Sequence, residues 1–443
     1  MTEFFFIIAQ FFIIYFLLSF NICVINTKNQ NLKNFSLTEN ISFNTIIFLN
    51  FILIVSFFNV SLNIIITSYL IYLSFLILFY LYKFKNLFVT AKESWFCFVL
   101  LFFTSIVIFL EVANNLVIGW DAQKFWIYKT ISFFNGNSIT ELSNLPNAWY
   151  PYLGSLSWSF FWKLSFLEHE YSGRLFYVFI YLTSLFLLVN NFNFSKSYKI
   201  IFFILLIIIS YDYTYHSHWS MFSGYQEILI FSLVCMAMHF LYKLLNYNKN
   251  LQNFNIISIL LICNLLVWIK HEGFIISLSL ILTLIFFFNF KIKKKIFISS
   301  VYLFIIFLRF SIFDFYDLNP DEVQHQGYEN LQLMHIVEKI SLQKIFIIFQ
   351  SLVMNLFSNY LILMSIFLLS IFLFINKNIN NIFYIIFFAV FNIAAFFGIY
   401  LISDLEVTFM LKTSMDRILY QISPFAILIF LEIYNSKKFL KLN

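Results

Sequence analysis

The sequence predicts an all-α fold, a polytopic bundle of transmembrane helices, from three observations. Hydrophobic residues make up 62% of the 443 residues, whereas charged residues make up only 11%, and this composition excludes a soluble globular domain. Apolar runs close to the roughly 20 residues that cross a hydrocarbon core recur along the whole chain. Lysines gather in alternate loops between those runs, as they do in membrane proteins of fixed orientation.

The apolar runs give the elements in order. We expect about thirteen spans of roughly 20 residues each, at 4–25, 44–64, 66–83, 95–117, 174–193, 199–214, 225–245, 254–269, 272–290, 296–313, 348–375, 382–402 and 416–435. The first run lacks a basic segment and a small-residue cleavage site, so we interpret it as a retained helix rather than a signal peptide. The sequence predicts one integral-membrane domain over 1–443, with parts at 1–117, 118–173, 174–313, 314–345 and 346–443.

The lysines orient this bundle. They concentrate at Lys28 and Lys33, Lys83 to Lys92, Lys196 and Lys199, Lys243 and Lys249, Lys291 to Lys295, Lys377, and Lys437 to Lys441. The positive-inside rule places these loops in the cytoplasm, so that 118–173 and 314–345 lie outside. Orientation in the membrane also accounts for the net charge of +6. We therefore expect membrane lipids as partners and no nucleic acid.

The outer segment 118–173 is expected to carry interfacial amphipathic helices. Residues 151–167 are apolar, but a crossing there would put the later lysines on the wrong side of the membrane. We predict instead a helix in the outer interface, with Trp158, Trp162 and Lys163 at headgroup level. The sequence contains neither a P-loop nor a glycine-rich dinucleotide fingerprint. Its four cysteines have no paired spacing, which predicts neither a disulfide nor a zinc site.

Polar side chains gather at the predicted outer helix ends. Those that we take as candidate site residues are Asp121, Lys124, Lys129, Tyr150, Glu227, Lys270, Glu272 and Arg417. Glu227 and Glu272 lie inside apolar runs, where a carboxylate costs roughly 2.5 to 3.5 kcal/mol at a helix centre and less near the ends. Their position favours a water-filled cavity that opens outward.

Asp121 is the leading candidate for a catalytic group. If residues 121–132 are helical, one face carries Asp121, Phe125, Tyr128 and Ser132, and Lys124 and Lys129 flank that face. A carboxylate between two cations stays ionised and can accept a proton. The structural alternative is that Asp121 caps the helix while the lysines extend to lipid headgroups.

Short motifs stand in a recognisable order along the chain. They are Asp121 after a membrane helix, an aromatic-rich helix ending in Lys-Thr, Gly136, YPYL at 150–153, SGYQE at 223–227, KHEG at 270–273 and DRILYQISP at 416–424. Together they resemble the bacterial integral-membrane glycosyltransferases of the GT-C superfamily, relatives of the dolichyl-phosphate-mannose protein mannosyltransferases. The resemblance covers 119–424, and each motif is short.

The resemblance implies a GT-C-like bundle that transfers a sugar from a polyprenyl-phosphate donor to a lipid, glycan or protein acceptor. It implies an active site on the outer face of a bacterial cytoplasmic membrane and no cofactor. Asp121 matches the acidic residue of the family's first outer loop, the base. Two departures stand out: many members have Asp-Glu where this chain has Asp121-Ala122, and His-Pro-Pro where it has Tyr150-Pro151-Tyr152. The missing second acid leaves metal use and donor identity open.

The chemistry of such a transfer assigns roles to these residues. A positioned base contributes roughly a hundred- to ten-thousand-fold, and Asp121 is that base. Cations stabilise the leaving phosphate, and we assign this role to Lys270 and Arg417; snorkelling or pairing with Glu272 and Asp416 is the structural alternative. The other candidates are expected to bind the donor phosphate or the substrate, and the indole rings of Trp120, Trp126 and Trp149 can stack on a sugar or belong to an interfacial aromatic belt.

Three alternatives stay open. His216 and His218, with Glu227, can bind a divalent metal. An oligosaccharide polymerase or O-antigen ligase also acts on lipid-linked glycans, but such proteins depend on outer arginines, of which this chain has few. A flippase or other transporter is expected to place ionisable groups near the midplane on helices broken by Gly or Pro. The 8 Gly and 4 Pro of this chain fit that class poorly.

Overall fold

The computed structural model describes residues 2–19, 36–84, 92–216, 221–246, 251–319, 340–375, 382–403 and 406–435. Within these ranges the chain is helical and has no strand, which confirms the all-α prediction. The α-helices are α1 Thr2–Ser19, α2 Leu37–Ser56, α3 Leu62–Phe84, α4 Lys92–Asn114, α5 Ile127–Phe134, α6 Leu153–Lys163, α7 Tyr171–Asn190, α8 Lys196–His216, α9 Glu227–Asn246, α10 Gln252–Ile269, α11 Glu272–Phe287, α12 Ile292–Phe315, α13 Leu342–Ser358, α14 Tyr360–Ile375, α15 Phe383–Ile402, α16 Val407–Met410, α17 Asp416–Ile422 and α18 Pro424–Asn435.

The described helices are those of an integral membrane protein. Ten are long and apolar enough to cross a membrane, or eleven if the bent pair α13 and α14 counts as one span. In this count α16 to α18 form one stretch, Val407–Asn435, while α1 and α11 are apolar but shorter. The class of fold is therefore as predicted, whereas the number of about thirteen spans of roughly 20 residues is not confirmed.

The span predicted at 348–375 is not one continuous helix, because α13 and α14 meet at an angle of 88°. Asn359 separates them with a non-helical backbone. Its side-chain oxygen accepts a hydrogen bond from the Ile362 N–H at 3.2 Å and so caps the start of α14. An asparagine inside an apolar run was the available sequence signal for this break.

Helix α2 begins earlier than the apolar run that predicted it. Its first turn is a capping box, in which the Ser36 hydroxyl accepts from the Glu39 N–H and the Glu39 carboxylate accepts from the Ser36 N–H. These two polar residues lie outside the predicted span 44–64, and the helix ends at Ser56. Because of this capping box, helix α2 begins about two turns, of roughly 3.6 residues each, before the predicted span.

Helix α6 corrects the prediction for 151–167. Every residue from Leu153 to Phe161 is buried in the protein, so this part of the helix is not an amphipathic surface helix. Trp158 is buried and donates through Nε1 to the Glu170 carbonyl at 2.9 Å, rather than lying at headgroup level. Burial is possible because the helix serines donate to backbone carbonyls, among them those of Trp126 and Thr130. Lys163 alone of the three predicted headgroup residues is exposed.

The bundle has two chemically distinct ends, with a continuous apolar core between them. Glu227 begins α9 and Lys243 lies sixteen residues further along it, which corresponds to about 24 Å. At the Lys243 end, the lysine contacts Glu39, and His239 Nε2 lies 3.1 Å from the same carboxylate. At the Glu227 end, the polar residues that the sequence singled out come together.

Candidate functional site

Five charged side chains from four segments of the chain form what we call the charged cluster: Asp121, Glu227, Lys270, Glu272 and Arg417. Arg417 contacts the Asp121 carboxylate, and its Nη1 also lies 3.2 Å from Glu227 Oε1. Lys270 Nζ lies 2.8 Å from Glu227 Oε1 and 2.9 Å from Glu272 Oε1. Glu227 is thus the shared partner of both cations, and three carboxylates surround two positive charges.

Two π-helical turns hold the ends of this cluster. One covers Ala122–Trp126, directly after Asp121, and the other covers Leu411–Met415, directly before α17 and Arg417. Arg417 Nε donates to the Thr413 carbonyl of the second turn at 2.7 Å. Such turns are rare and occur often at functional sites. The first turn also breaks the helical face predicted over 121–132: Ser132 is buried, whereas Tyr128 is exposed.

The SGYQE segment at 223–227 joins Asp121 to Arg417. The Gly119 N–H donates to the Ser223 carbonyl at 2.8 Å, and a methyl group on Gly119 would come within 2.1 Å of the Tyr225 ring. The Arg417 guanidinium lies over that same ring, at 5.4 Å from its centre. Tyr225 is therefore packed between the segment leading to Asp121 and the arginine that Asp121 contacts.

Ala122 is fully buried next to Asp121, at the position where many GT-C enzymes carry a second acid. Its Cβ lies 2.9 Å from the position that a Cβ on Gly224 would take, and Gly224 has a φ of +92°, which favours glycine. The Trp158 ring packs against the same glycine. The methyl group of Ala122 is therefore closely packed against Gly224.

The KHEG segment supplies two members of the cluster from one tight helix connection. Lys270 follows the end of α10, and Glu272 begins α11. A Cβ on Gly273 would lie 1.9 Å from the Leu266 carbonyl oxygen, a backbone atom that cannot move aside alone. Glycine thus lets the two helices approach closely enough to present both side chains to Glu227.

Access and charge distinguish the carboxylates. The side chains of Asp121 and Glu272 are 12% and 20% exposed, whereas that of Glu227 is 0% exposed. Burial raises the pKa of Asp121, and the nearby positive charges of Arg417 and Lys270 oppose this effect. Burial alone lowers the pKa of Lys270, but the carboxylates of Glu227 and Glu272 raise it above its ordinary value. Asp121 is therefore a reachable carboxylate with a raised pKa.

Aromatic rings line one side of the charged cluster. Tyr150 stacks on Phe125 with ring centres 4.3 Å apart, and Trp149 stacks on His271 at 5.0 Å. Of the indole rings that the sequence singled out, Trp126 is only 1% exposed and belongs to the core, whereas Trp120 is 60% exposed. Trp149 and Trp120 therefore remain as rings that a ligand can reach.

The structure does not bring the two predicted flanking lysines to Asp121. Lys129 is fully buried and donates to the Ala148 carbonyl at 3.0 Å and to the Tyr150 carbonyl. Lys124 is exposed on the first π-helical turn and, among the described residues, forms no ion pair with the cluster. The sequence offered Arg309, with Arg174 and Arg417, only as an arginine for the ligase or polymerase alternative and not as a site residue, although an arginine inside an apolar run is itself a signal. Arg309 is buried, contacts the Val267 carbonyl and lies 3.4 Å from His271 Nδ1.

The described residues contain no group of three or more His, Cys, Asp or Glu side chains arranged to hold a metal ion. The side chain of His216 and all of His218 lie outside the described residues, so the metal alternative stays untested. Chemically, the charged cluster can accept a proton at Asp121 and can stabilise negative charge through Arg417 and Lys270.

The chain matches no protein-family model, no curated protein and no solved structure. Function must therefore be inferred from the geometry of the charged cluster and its aromatic neighbours. The residues that carry that inference are Asp121, Glu227, Lys270, Glu272 and Arg417.

Proposed function

We propose that this protein is a membrane glycosyltransferase that moves a sugar from a polyprenyl-phosphate donor to an acceptor at the extracytoplasmic face. The observation that carries the proposal is a partly accessible carboxylate, Asp121, held by Arg417 at one end of a membrane-helix bundle beside aromatic rings. Sugar sites combine carboxylates with aromatic surfaces, and a lipid-linked donor can reach such a site from the bilayer.

In this reaction Asp121 is the general base. The acceptor hydroxyl gives its proton to Asp121 as its oxygen bonds to the anomeric carbon, and the bond from that carbon to the lipid phosphate breaks. The electron pair of the broken bond leaves with the phosphate. Burial raises the pKa of Asp121 above that of an exposed aspartate, and a carboxylate with a raised pKa is a stronger base.

The contacts of Glu227 favour a different role for this residue from the one that the sequence predicted. It is fully buried and contacts both Lys270 and Arg417, so it orders the two cations rather than meeting substrate. Its Oε2 atom is buried and has no partner among the described residues. We assign to Glu227 the positioning of the cations that stabilise the leaving phosphate.

The alternative of a polymerase or ligase is less well supported, because such enzymes rely on accessible arginines. Arg174 is buried, pairs with Glu170 at 2.8 Å and donates to the Phe222 carbonyl at 2.9 Å. Arg309 is buried as well. Of the three arginines that the sequence offered for this role, Arg417 alone is in the charged cluster.

The test is a donor comparison with purified protein in vesicles. Polyprenyl-phosphate sugars and, separately, nucleotide sugars are offered with a membrane-derived acceptor, each with and without chelator. We expect transfer from the lipid-linked donor without a nucleotide and without added metal. Transfer from a nucleotide sugar alone would overturn the proposal, and loss of transfer with chelator would favour the metal alternative at His216 and His218.

A further inference from the structure

Three buried ring nitrogens beside the charged cluster have no partner among the described residues: Trp126 Nε1, Trp149 Nε1 and His271 Nε2. The rings of Trp149 and His271 stack on each other, so these two donors lie side by side. The first is on His271. Arg309 Nη2 lies 3.4 Å from His271 Nδ1, and arginine can only donate, so Nδ1 accepts and a neutral ring carries its proton on Nε2. Nε2 is buried and has no partner within the described part of the chain.

The protonation of His271 agrees with this geometry. Burial lowers the pKa of the ring well below its ordinary value, and the positive charges of Arg309, Lys129 and Lys270 lower it further. The ring is therefore neutral at pH 7. It can donate one hydrogen bond, through Nε2, toward a ligand.

The second donor is the indole of Trp149. Its ring stacks on His271 with centres 5.0 Å apart and planes at 23°. Its Nε1 is buried and likewise lacks a partner in the described ranges. Lys129 holds this segment in place, because it donates to the carbonyls on both sides of Trp149, those of Ala148 and Tyr150.

Arg309 is the charged group in direct contact with His271, with 3.4 Å between Arg309 Nη2 and His271 Nδ1. Its guanidinium lies over the rings of Phe274 at 4.5 Å and Phe313 at 4.7 Å, and it forms no ion pair with any described carboxylate. The two chain neighbours of His271, Lys270 and Glu272, pair with each other at 2.9 Å. Buried donors without acceptors are costly, and the unpaired charge of Arg309 favours an anionic oxygen as the missing acceptor.

We propose that the N–H groups of His271 and Trp149 donate to oxygens of a phosphate group and form an oxyanion subsite beside the charged cluster. The inference rests on the proposed function, in which that phosphate belongs to the lipid donor. It adds two neutral donors to the cations assigned to that phosphate, because the carboxylates of the charged cluster already offset part of the charge of Lys270 and Arg417. A free phosphate has the same chemistry as the lipid headgroup, so the experiment must separate the two sources.

The experiment measures binding to the purified full chain in detergent. The probes are a polyprenyl phosphate without sugar, the uncharged polyprenol of equal length, and inorganic phosphate as a competitor. Trp149→Phe removes the N–H and keeps a stacking ring, and His271→Phe does the same for the second donor. Trp162→Phe is the matched control, because its Nε1 donates to the Glu168 carbonyl at 2.9 Å. Thermal melting checks that each variant is folded.

We expect the wild type to bind polyprenyl phosphate and not polyprenol, and Trp149→Phe and His271→Phe each to bind it about tenfold more weakly. Trp162→Phe is expected to bind as the wild type does. Inorganic phosphate that competes with polyprenyl phosphate in the wild type but not in Trp149→Phe would also support the subsite. That result would show that the subsite accepts free phosphate as well as the lipid headgroup.

The inference is overturned if folded Trp149→Phe and His271→Phe both bind within twofold of the wild type, or if polyprenol binds as tightly as polyprenyl phosphate. Binding requires no turnover, so its failure is separate from that of the proposed function. A protein that binds polyprenyl phosphate through Trp149 but transfers no sugar would support the subsite and contradict the glycosyltransferase proposal.

Discussion

At the scale of single residues, the packing of Ala122 explains how Asp121 is placed. A small side chain at 122 packs against Gly224, and this contact brings the Asp121 segment close to the SGYQE segment and Arg417. Ala122 is fully buried, so a longer side chain at this position would have to displace its neighbours, of which Gly224 is one.

Ala122→Glu, which restores the Asp-Glu pattern of many GT-C enzymes, is accordingly expected to destabilise the protein by about 2 kcal/mol or more, because it buries a charge without a partner. The measurement is thermal melting in detergent. Gln123→Glu is the matched control, since it adds the same charge one residue later at an exposed position. Equal melting of both variants would show that the interior at position 122 has space for a second acid.

The sequence identified all five members of the charged cluster, because polar residues at apolar helix ends are few. It also offered the pairing of Lys270 with the nearby Glu272, which the structure contains. It could not identify the partners that are distant in the chain, Glu227 for Lys270 and Asp121 for Arg417, or the turn of Lys129 to backbone carbonyls. These pairings depend on tertiary contacts and on a π-helical turn, neither of which a 3.6-residue period predicts.

At the scale of elements, the connection between α10 and α11 is the feature that presents Lys270, His271 and Glu272 together. Gly273→Ala is expected to push the two helices apart, to lower stability by about 1–3 kcal/mol and to reduce transfer, since a methyl group meets the Leu266 carbonyl. Melting temperature and transfer rate measure the two effects.

The control for that variant is Gly398→Ala. Gly398 lies in α15, and a methyl group on it would have no atom within 4 Å, so alanine there should be neutral or stabilising by about 0.5–1 kcal/mol. If Gly273→Ala melts and transfers as Gly398→Ala does, the close approach of α10 and α11 is not what positions the KHEG side chains.

Helix existence could be predicted from the apolar runs, but the boundaries and two of the elements could not. The capping box at Ser36 lies outside the apolar run, so the run alone starts α2 too late. The bend at Asn359 depends on one cap inside a long apolar stretch. Helix α6 is buried from Leu153 to Phe161, and its serines, which look polar in the sequence, are satisfied by backbone carbonyls.

At the scale of the whole molecule, the two ends of the bundle predict a labelling pattern. Single cysteines at Asn137, in the predicted outer segment 118–173, and at Lys293, at the start of α12, are introduced into a chain without its four native cysteines. We expect an impermeant thiol reagent to label position 137 from outside and not position 293, because lysine-rich ends stay in the cytoplasm. The reverse pattern would place Asp121 on the cytoplasmic side and contradict an outward-facing site.

The central claim is that Asp121 takes the proton of the acceptor, and the most direct measurement compares transfer rates from a polyprenyl-phosphate sugar for Asp121→Asn and the wild type. The amide keeps the shape of the side chain but cannot take a proton. We predict a loss of about a hundred- to ten-thousand-fold, with full activity in the control Asp314→Asn, which changes an exposed aspartate at the end of α12. Folded Asp121→Asn protein that transfers sugar within about tenfold of the wild-type rate would contradict the claim, because that loss is below the range for removal of a general base.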